Sequence, residues 1–387
     1  MPVGKRFVLL VDDEQSILNA LSRELREWAA SRELEILTAI SGRKGLEIIA
    51  ERAGEAVIVV SDLRMPEMKG SDFLLRVREA YPEIVTILLT GYSETEEIVK
   101  AVKAGIFSFM LKPWESAYLL AELQKAFEHG ELRRENARYM KMMVDELKWA
   151  GEMQKAMLRP NLPNSGRVEF RASYRPVPSL YCGGDYYDAI ALSPSRYLLL
   201  IGDVAGHGIR AAMVTGILKA VIYSEYVRAV SGKKDFSPSA FLSWLNDRMN
   251  FELRSATGLI ISFFAGVLDL DGGYFEYANA GQNHPYILRG NVSIELLVSG
   301  SGLGYSPSLA YTEQSIAIHS GDVITLYTDG LVEPGGPAGG ASVKPGPLFQ
   351  RVEYAQDYHR RLMEEALSEA GWKDFEDDVT LLTARVL

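Results

Sequence analysis

The sequence predicts an α/β chain of two globular domains joined by a helical linker, on three observations. The first third alternates apolar, strand-like runs with amphipathic helical stretches. The middle, from about Tyr118 to Leu158, contains no Pro and is interrupted only by Gly130 and Gly151. The remainder carries four short acidic motifs, each beside a further apolar run. A length of 387 residues agrees, because it exceeds what one core usually organises.

In the first third, Arg6 to Val11 reads as a strand ending in Asp12-Asp13, and Ala56 to Val60 as one ending in Ser61-Asp62. Ile84 to Leu89 ends in Thr90, and Ile106 to Leu111 ends in Lys112-Pro113. The amphipathic stretches Ser16 to Ala29 and Glu94 to Ala104 fall between them, which is the alternation of a parallel sheet. In such a sheet, function gathers at the carboxyl ends of the strands. Those ends carry acids, a hydroxyl and an ammonium, the groups that would hold Mg²⁺ on Asp12, Asp13 and Asp62. Asp62 would then accept a phosphoryl group whose oxygens Lys112 and Thr90 bind. Asp12 and Asp13 as a loop cap, with Lys112 as surface charge, is the bland alternative. Residues of the right type at every strand end outweigh it.

From Tyr118 to Leu158 the chain is helix-forming. Met140, Met143, Leu147, Ala150 and Met157 follow steps of three and four, with Gln154 in the missing slot. This is a short coiled-coil seam through which two chains would pair; the competing reading is a helix packed on its own domain. Pro160 ends it.

The four acidic motifs are Gly183-Gly184-Asp185-Tyr186-Tyr187-Asp188, Gly202-Asp203-Val204-Ala205-Gly206-His207-Gly208, Tyr327-Thr328-Asp329-Gly330 and Glu376-Asp377-Asp378. The runs Tyr197 to Ile201, Val323 to Tyr327 and Val379 to Val386 read as strands that place Asp203, Asp329 and Asp377/Asp378 at strand ends. Carboxylates converging there repel unless a cation neutralises them. Hard divalent ions take oxygen ligands, and a pair of them activates water toward a phosphoryl group. Asp and Gly also cluster in ordinary turns, but four such motifs together are poorly explained that way. His207 stands either as a proton donor to a leaving group or as a turn cap, and Asp188 as support for a ligand.

The order and spacing of these motifs resemble the metal-dependent serine/threonine phosphatases of type two C, in the bacterial branch that includes stage II sporulation protein E and RsbU. The resemblance covers about residues 150 to 387 and implies an α+β sandwich of helix, sheet, sheet and helix layers. It implies two Mn²⁺ or Mg²⁺ ions held by Asp185, Asp203 as the bridging ligand, the Val204 carbonyl, Asp329 and Asp377, with Asp378 as neighbour or alternate ligand. One departure is Asn279-Ala280-Gly281-Gln282-Asn283-His284-Pro285, where relatives often have His at the position of Gln282. The stretch Pro334 to Gly340, rich in Pro and Gly, reads as a mobile loop.

Residues 1 to about 128 resemble a response-regulator receiver domain of flavodoxin-like fold with a five-stranded parallel sheet. That resemblance makes Asp62 the phosphoacceptor, Thr90 and Lys112 the residues that read its phosphorylation, and Phe109 the aromatic switch. Lys112-Pro113 matches the turn in which the family's peptide bond is often cis. The domains expected are therefore 1–128 for the receiver, 129–158 for the helical linker and 159–387 for the phosphatase.

Composition bounds the rest. A formal net charge of −10 and the lack of a basic recognition helix argue against nucleic acid. One cysteine, Cys182, cannot form an internal disulfide, which points to the cytoplasm. Met1 to Lys5 leads straight into a strand, so no signal peptide is expected, and no apolar run is long enough to span a membrane. The reading is a response regulator, phosphorylated by a cognate histidine kinase or phosphotransfer protein, whose output dephosphorylates a partner protein. The resemblance implies an anti-sigma-factor antagonist as substrate, in a partner-switching pathway that regulates a sigma factor. The alternative is a non-enzymatic adaptor with the receiver-plus-phosphatase layout of RssB, which binds a sigma or anti-sigma factor. The filled acidic motifs favour the enzyme.

Overall fold

The computed structural model describes residues 5–91, 95–103, 105–159, 161–227, 236–252, 259–333 and 341–387. The chain divides into two compact units, Met1–Met143 and Val144–Leu387.

The first unit alternates β1 (Phe7–Val11), α1 (Gln15–Ala30), β2 (Glu35–Ala39), α2 (Gly42–Glu51), β3 (Ala56–Asp62), α3 (Gly70–Ala80), β4 (Val85–Thr90), α4 (Thr95–Lys103) and β5 (Ser108–Leu111). The expected helix ends Glu94 and Ala104, like residues 1–4, lie outside the described residues. All five strands pair in parallel in the order β2-β1-β3-β4-β5. The central strands β1, β3 and β4 are buried along their whole length because helices cover both faces. Along β1, Val8 and Leu10 pack toward α1, whereas Leu9 and Val11 share a core with α3 residues such as Phe73. Strand order reverses beside β1, opening a crevice at the carboxyl ends of β1 and β3.

Helix α5 (Ser116–Leu158) begins in this unit, where Leu119, Leu123 and Ala126 enter the core and Gly130 lies against Val85. Its last turns belong to the second unit. There Gly151, Gln154 and Leu158 are buried, and Leu158 joins the core of that unit. The slot that Gln154 fills in the expected coiled-coil seam is therefore taken by the chain's own domain. Of the apolar members of that stripe, Met140, Met143 and Met157 are exposed. Pro160 lies outside the described residues.

The second unit contains two five-stranded sheets. With β10 at Tyr274–Ala280, β11 at Tyr286–Arg289, β12 at Val292–Glu295 and β13 at Glu313–Ala317, one has the order β13-β10-β9-β8-β7, the other β12-β11-β14-β15-β6, and all neighbours among the described residues are antiparallel. The strands that matter for the site are β6 (Val168–Arg175), β7 (Asp185–Ala191), β8 (Arg196–Val204), β9 (Ile261–Asp269), β14 (Val323–Tyr327) and β15 (Val379–Val386). Alternation along β8 shows the layering. Leu198 and Leu200 face helices α6 (Ile209–Val221) and α7 (Pro238–Glu252), while Tyr197, Leu199 and Ile201 fill the space between the sheets. A third core, with Phe349, Tyr358 and Leu362, packs α8 (Pro345–Arg351) and α9 (Tyr358–Ala370) on the outer face of the second sheet. The result is the expected four-layer sandwich. No helix among the described residues is long and apolar enough to cross a membrane.

Candidate functional site

In the first unit the crevice gathers three of the expected residues. Asp12 follows β1 and accepts a hydrogen bond from the Glu14 N–H at 2.9 Å; Asp62 ends β3 and accepts from the Arg64 N–H at 2.7 Å. Lys112, after β5, donates to Asp12 at 2.7 Å and also forms an ion pair with Asp62. Burial pushes the Asp62 carboxyl up by more than Lys112 pulls it down. Burial lowers Lys112, but its two carboxylate partners outweigh that and its pKa is raised. The Lys112-Pro113 peptide is cis. Asp13 is exposed beside the pair, Thr90 is buried at the end of β4 with its hydroxyl on the Gly91 carbonyl, and Phe109 on β5 is 38% exposed. A Cβ on Gly70 would lie 1.8 Å from the Asp62 carbonyl, so only glycine lets α3 start so close to the acceptor strand.

In the second unit the four motifs converge at one end of the two sheets. Asp185 and Asp203 sit directly opposite each other on β7 and β8. Asp185 is fully buried and accepts from Thr328 Oγ1 at 2.9 Å and Thr380 Oγ1 at 2.6 Å, so the second sheet aims a carboxylate of the first. Burial, then the charges of Asp203 and Asp378, hold its carboxyl well above the usual range. Asp203 is pushed up to about 8 by burial and by Asp329, Asp377 and Asp378. Asp329, in the single helical turn Asp329–Leu331, is raised by burial and by Asp377 and Glu333. Carboxylates that raise one another in this way form a field that a divalent cation would neutralise.

The members of the closing pair differ. Asp378 is buried and both its oxygens are engaged, by the Val177 N–H at 3.0 Å and the Gly184 N–H at 2.7 Å. A Cβ on Gly183 would fall 1.7 Å from Asp378 Oδ2, so this contact needs a glycine at 183. Asp377 is half-buried and accepts from the Asp378 N–H at 2.8 Å. The Val204 carbonyl would stand 2.7 Å from a Cβ on Gly184, which places it beside Asp185. Among the described residues no three His, Cys, Asp or Glu side chains close around a common point. The donor set of hard oxygens fits Mg²⁺ or Mn²⁺.

Three readings of the sequence are refined here. Asp188 does not support Asp185: three positions along β7, it points to the helix side, where it is completely buried and paired with Lys219 of α6. Gln282 ties the sheets together, accepting from Ser262 Oγ and donating to the Tyr327 carbonyl at 3.2 Å. His207 is exposed, near enough for its charge to act on Asp378. The sequence reading missed Thr328 and Thr380, although each lies within two residues of a predicted acid, and it missed the bonds of Gln154. The loop Pro334 to Gly340 lies outside the described residues.

Comparison with known proteins follows this division. Residues 8–124 match the response regulator receiver domain, and residues 193–387 match the Stage II sporulation protein E (SpoIIE) family. The chain is similar to the hydrogenase transcriptional regulatory protein HoxA of Cupriavidus necator, 37% identical over 132 residues, or 33% of this chain and 26% of that protein. It is also similar to protein IcfG of Synechocystis, 26% identical over 215 residues, or 50% of this chain and 33% of that one. The chain thus spans about a quarter to a third of the length of these curated relatives. The solved SiaA-PP2C domain of Pseudomonas aeruginosa, 23% identical, superimposes with a TM-score of 0.53 over 65% of this chain and 100% of that domain, a likeness of fold. With half of its length matched by that family and a receiver domain ahead of it, the chain belongs to the SpoIIE family of type 2C phosphatase-like proteins.

Proposed function

We propose that the protein is a two-component response regulator whose output is a metal-dependent protein serine/threonine phosphatase. The observation that supports this best is the gathering of Asp185, Asp203, Asp329 and Asp377: burial and neighbouring carboxylates raise the pKa of Asp185, Asp203 and Asp329, and the charge of Asp377 acts on the last two. Asp185, Asp203, Asp329, Asp377 and the Val204 carbonyl are the groups that would hold two Mn²⁺ or Mg²⁺ ions. Bound there, such ions supply Lewis acidity toward phosphoryl oxygens and lower the pKa of water.

The chain's own residues set the geometry. Thr328 and Thr380 fix the rotamer of Asp185, and Asp378 fixes the loop before it by accepting from two backbone amides. With both oxygens so occupied, Asp378 is a poorer ligand than Asp377. In the receiver, Asp62 is the phosphoacceptor, Asp12 and Asp13 join it in holding Mg²⁺, and Lys112 balances the charge of the acids before phosphorylation. Thr90 and Phe109 carry the response to it. The phosphodonor is a histidine kinase or phosphotransfer protein. The substrate is a phosphoserine or phosphothreonine on a partner protein, and the resemblance to the RsbU branch favours an anti-sigma-factor antagonist. The test is release of phosphate from phosphorylated antagonist proteins by the purified chain, with Mn²⁺ and with chelator.

A further inference from the structure

The last turns of α5 dock on the loop that leads into Asp185. A Cβ on Gly151 would lie 2.2 Å from the Tyr181 carbonyl, and Lys148 stands over the Tyr181 ring at 5.6 Å. One turn on, Gln154 is only 5% exposed. Its Nε2 donates to the Gly183 carbonyl at 2.6 Å and to Thr215 Oγ1 at 2.9 Å, while its Oε1 accepts from the Gly183 N–H at 3.1 Å and, more weakly, from Tyr174 OH at 3.4 Å. Thr215 gives its own proton to the Ala212 carbonyl at 2.7 Å, so it is free to accept. Every donor and acceptor of the amide is thereby used. The side chain grips both polar groups of one backbone residue, as a neighbouring strand would.

We propose that Gln154 is a positioning residue for the phosphatase metal site: by holding Gly183 through its N–H and its C=O, the end of α5 sets where Asp185 stands. The proposal rests on the reading of Asp185 and Asp203 as ligands. The route is short. Gly183 is bound to Gln154 on one side and pressed on Asp378 on the other. Gly184 donates to Asp378, and its carbonyl accepts from the Val204 N–H at 3.1 Å. Asp185 follows, opposite Asp203. No other side chain reproduces the grip. Asn is one methylene too short, Glu cannot donate to the Gly183 carbonyl, and Met or Leu leaves both groups of Gly183 without a partner in a dry site. The helix that begins in the receiver unit thus carries, in its last turns, a residue that bonds the loop before Asp185.

The experiment measures Mn²⁺ binding by calorimetry on the full chain carrying Asp12→Asn, so that the receiver acids do not add to the signal. Hydrogen exchange of the metal-free protein is followed at Gly183 and Gly184. Gln154→Ala, and Gln154→Met as a variant of matched volume, are expected to bind Mn²⁺ about tenfold or more weakly and to exchange both amides faster. Phosphatase activity should return when Mn²⁺ is raised, so that the half-maximal metal concentration moves further than the maximal rate. Mn²⁺ affinity within twofold of the parent, in a folded variant, would overturn the proposal. Loss of the fold in both variants would do so too, since Gln154 would then be a residue of the domain core. A parent chain that binds no Mn²⁺ would remove the metal reading itself, a different result from a parent that binds and variants that bind equally well.

Discussion

Asp185 and Asp203 face each other across β7 and β8 as a directly opposed antiparallel pair. Like charges in that position destabilise a sheet, and here burial adds to the cost. Thr328 and Thr380 orient one member of the pair, and a divalent cation bound there, as proposed above, would offset the repulsion.

The closing acids should separate activity from stability. Asp377→Asn is expected to lose most phosphatase turnover with little change in thermal stability. Asp378→Asn turns one acceptor of a backbone amide into a donor, so it should cost about 1 to 3 kcal/mol of stability while keeping more activity than Asp377→Asn. Melting curves and rates on both variants check this; a stable, inactive Asp378→Asn beside a fully active Asp377→Asn would reverse the assignment.

Asp62 should be the acceptor of the phosphoryl group. Incubation with a small phosphodonor and Mg²⁺ should label the wild-type chain and leave Asp62→Asn unlabelled on a phosphate-affinity gel. Equal labelling of the two would remove Asp62 from that role.

His359 offers a pH test apart from either site. It is buried between Ser173, at 2.8 Å from Nδ1, and Thr383, at 3.0 Å from Nε2, and burial together with the charge of Arg171 lowers its pKa to about 4. Folding therefore favours the neutral ring. The stability this provides is complete above about pH 6.5 and is lost as pH falls toward 4, at most about 3 kcal/mol. Denaturant unfolding between pH 7 and 4 should show that loss in the wild type, and a shallower loss in His359→Gln.

Coupling between the units should run through α5. Gly130 packs against Val85 inside the receiver, so a flexible insert belongs after Met143, where the units divide. Beryllofluoride is expected to change the phosphatase rate of the parent by about five- to a hundredfold, the usual range of a coupling of 1 to 3 kcal/mol. A Gly/Ser insert after Met143 should abolish the response while leaving the basal rate. An unchanged response would place the coupling elsewhere.

Much of this was legible because acids and strands announce themselves locally. Asp12, Asp62, Asp203 and Asp329 each stand at or near the end of an apolar run, and a parallel or antiparallel sheet brings such ends together whatever the details. What escaped was long-range. Gln154 meets Gly183 across 29 positions, and Asp188 meets Lys219 across 31, with no pattern in either neighbourhood to announce it. On α5 the sequence pattern did not separate Gln154, which its own domain buries, from Met140, Met143 and Met157, which stay exposed. Thr328 and Thr380 were within reach, since hydroxyls beside ligand acids commonly orient them.

The most direct measurement is phosphate release from a phosphoserine-bearing antagonist protein by the full chain, in Mn²⁺, in chelator and with Asp203→Asn. The expected result is turnover in Mn²⁺ that chelator abolishes and Asp203→Asn lowers by more than about a hundredfold, beyond the 10- to 100-fold typical of residues that merely support a ligand. Wild-type rates from a folded Asp203→Asn chain at saturating Mn²⁺, or turnover indifferent to chelator, would contradict a phosphatase built on the carboxylates of β7 and β8.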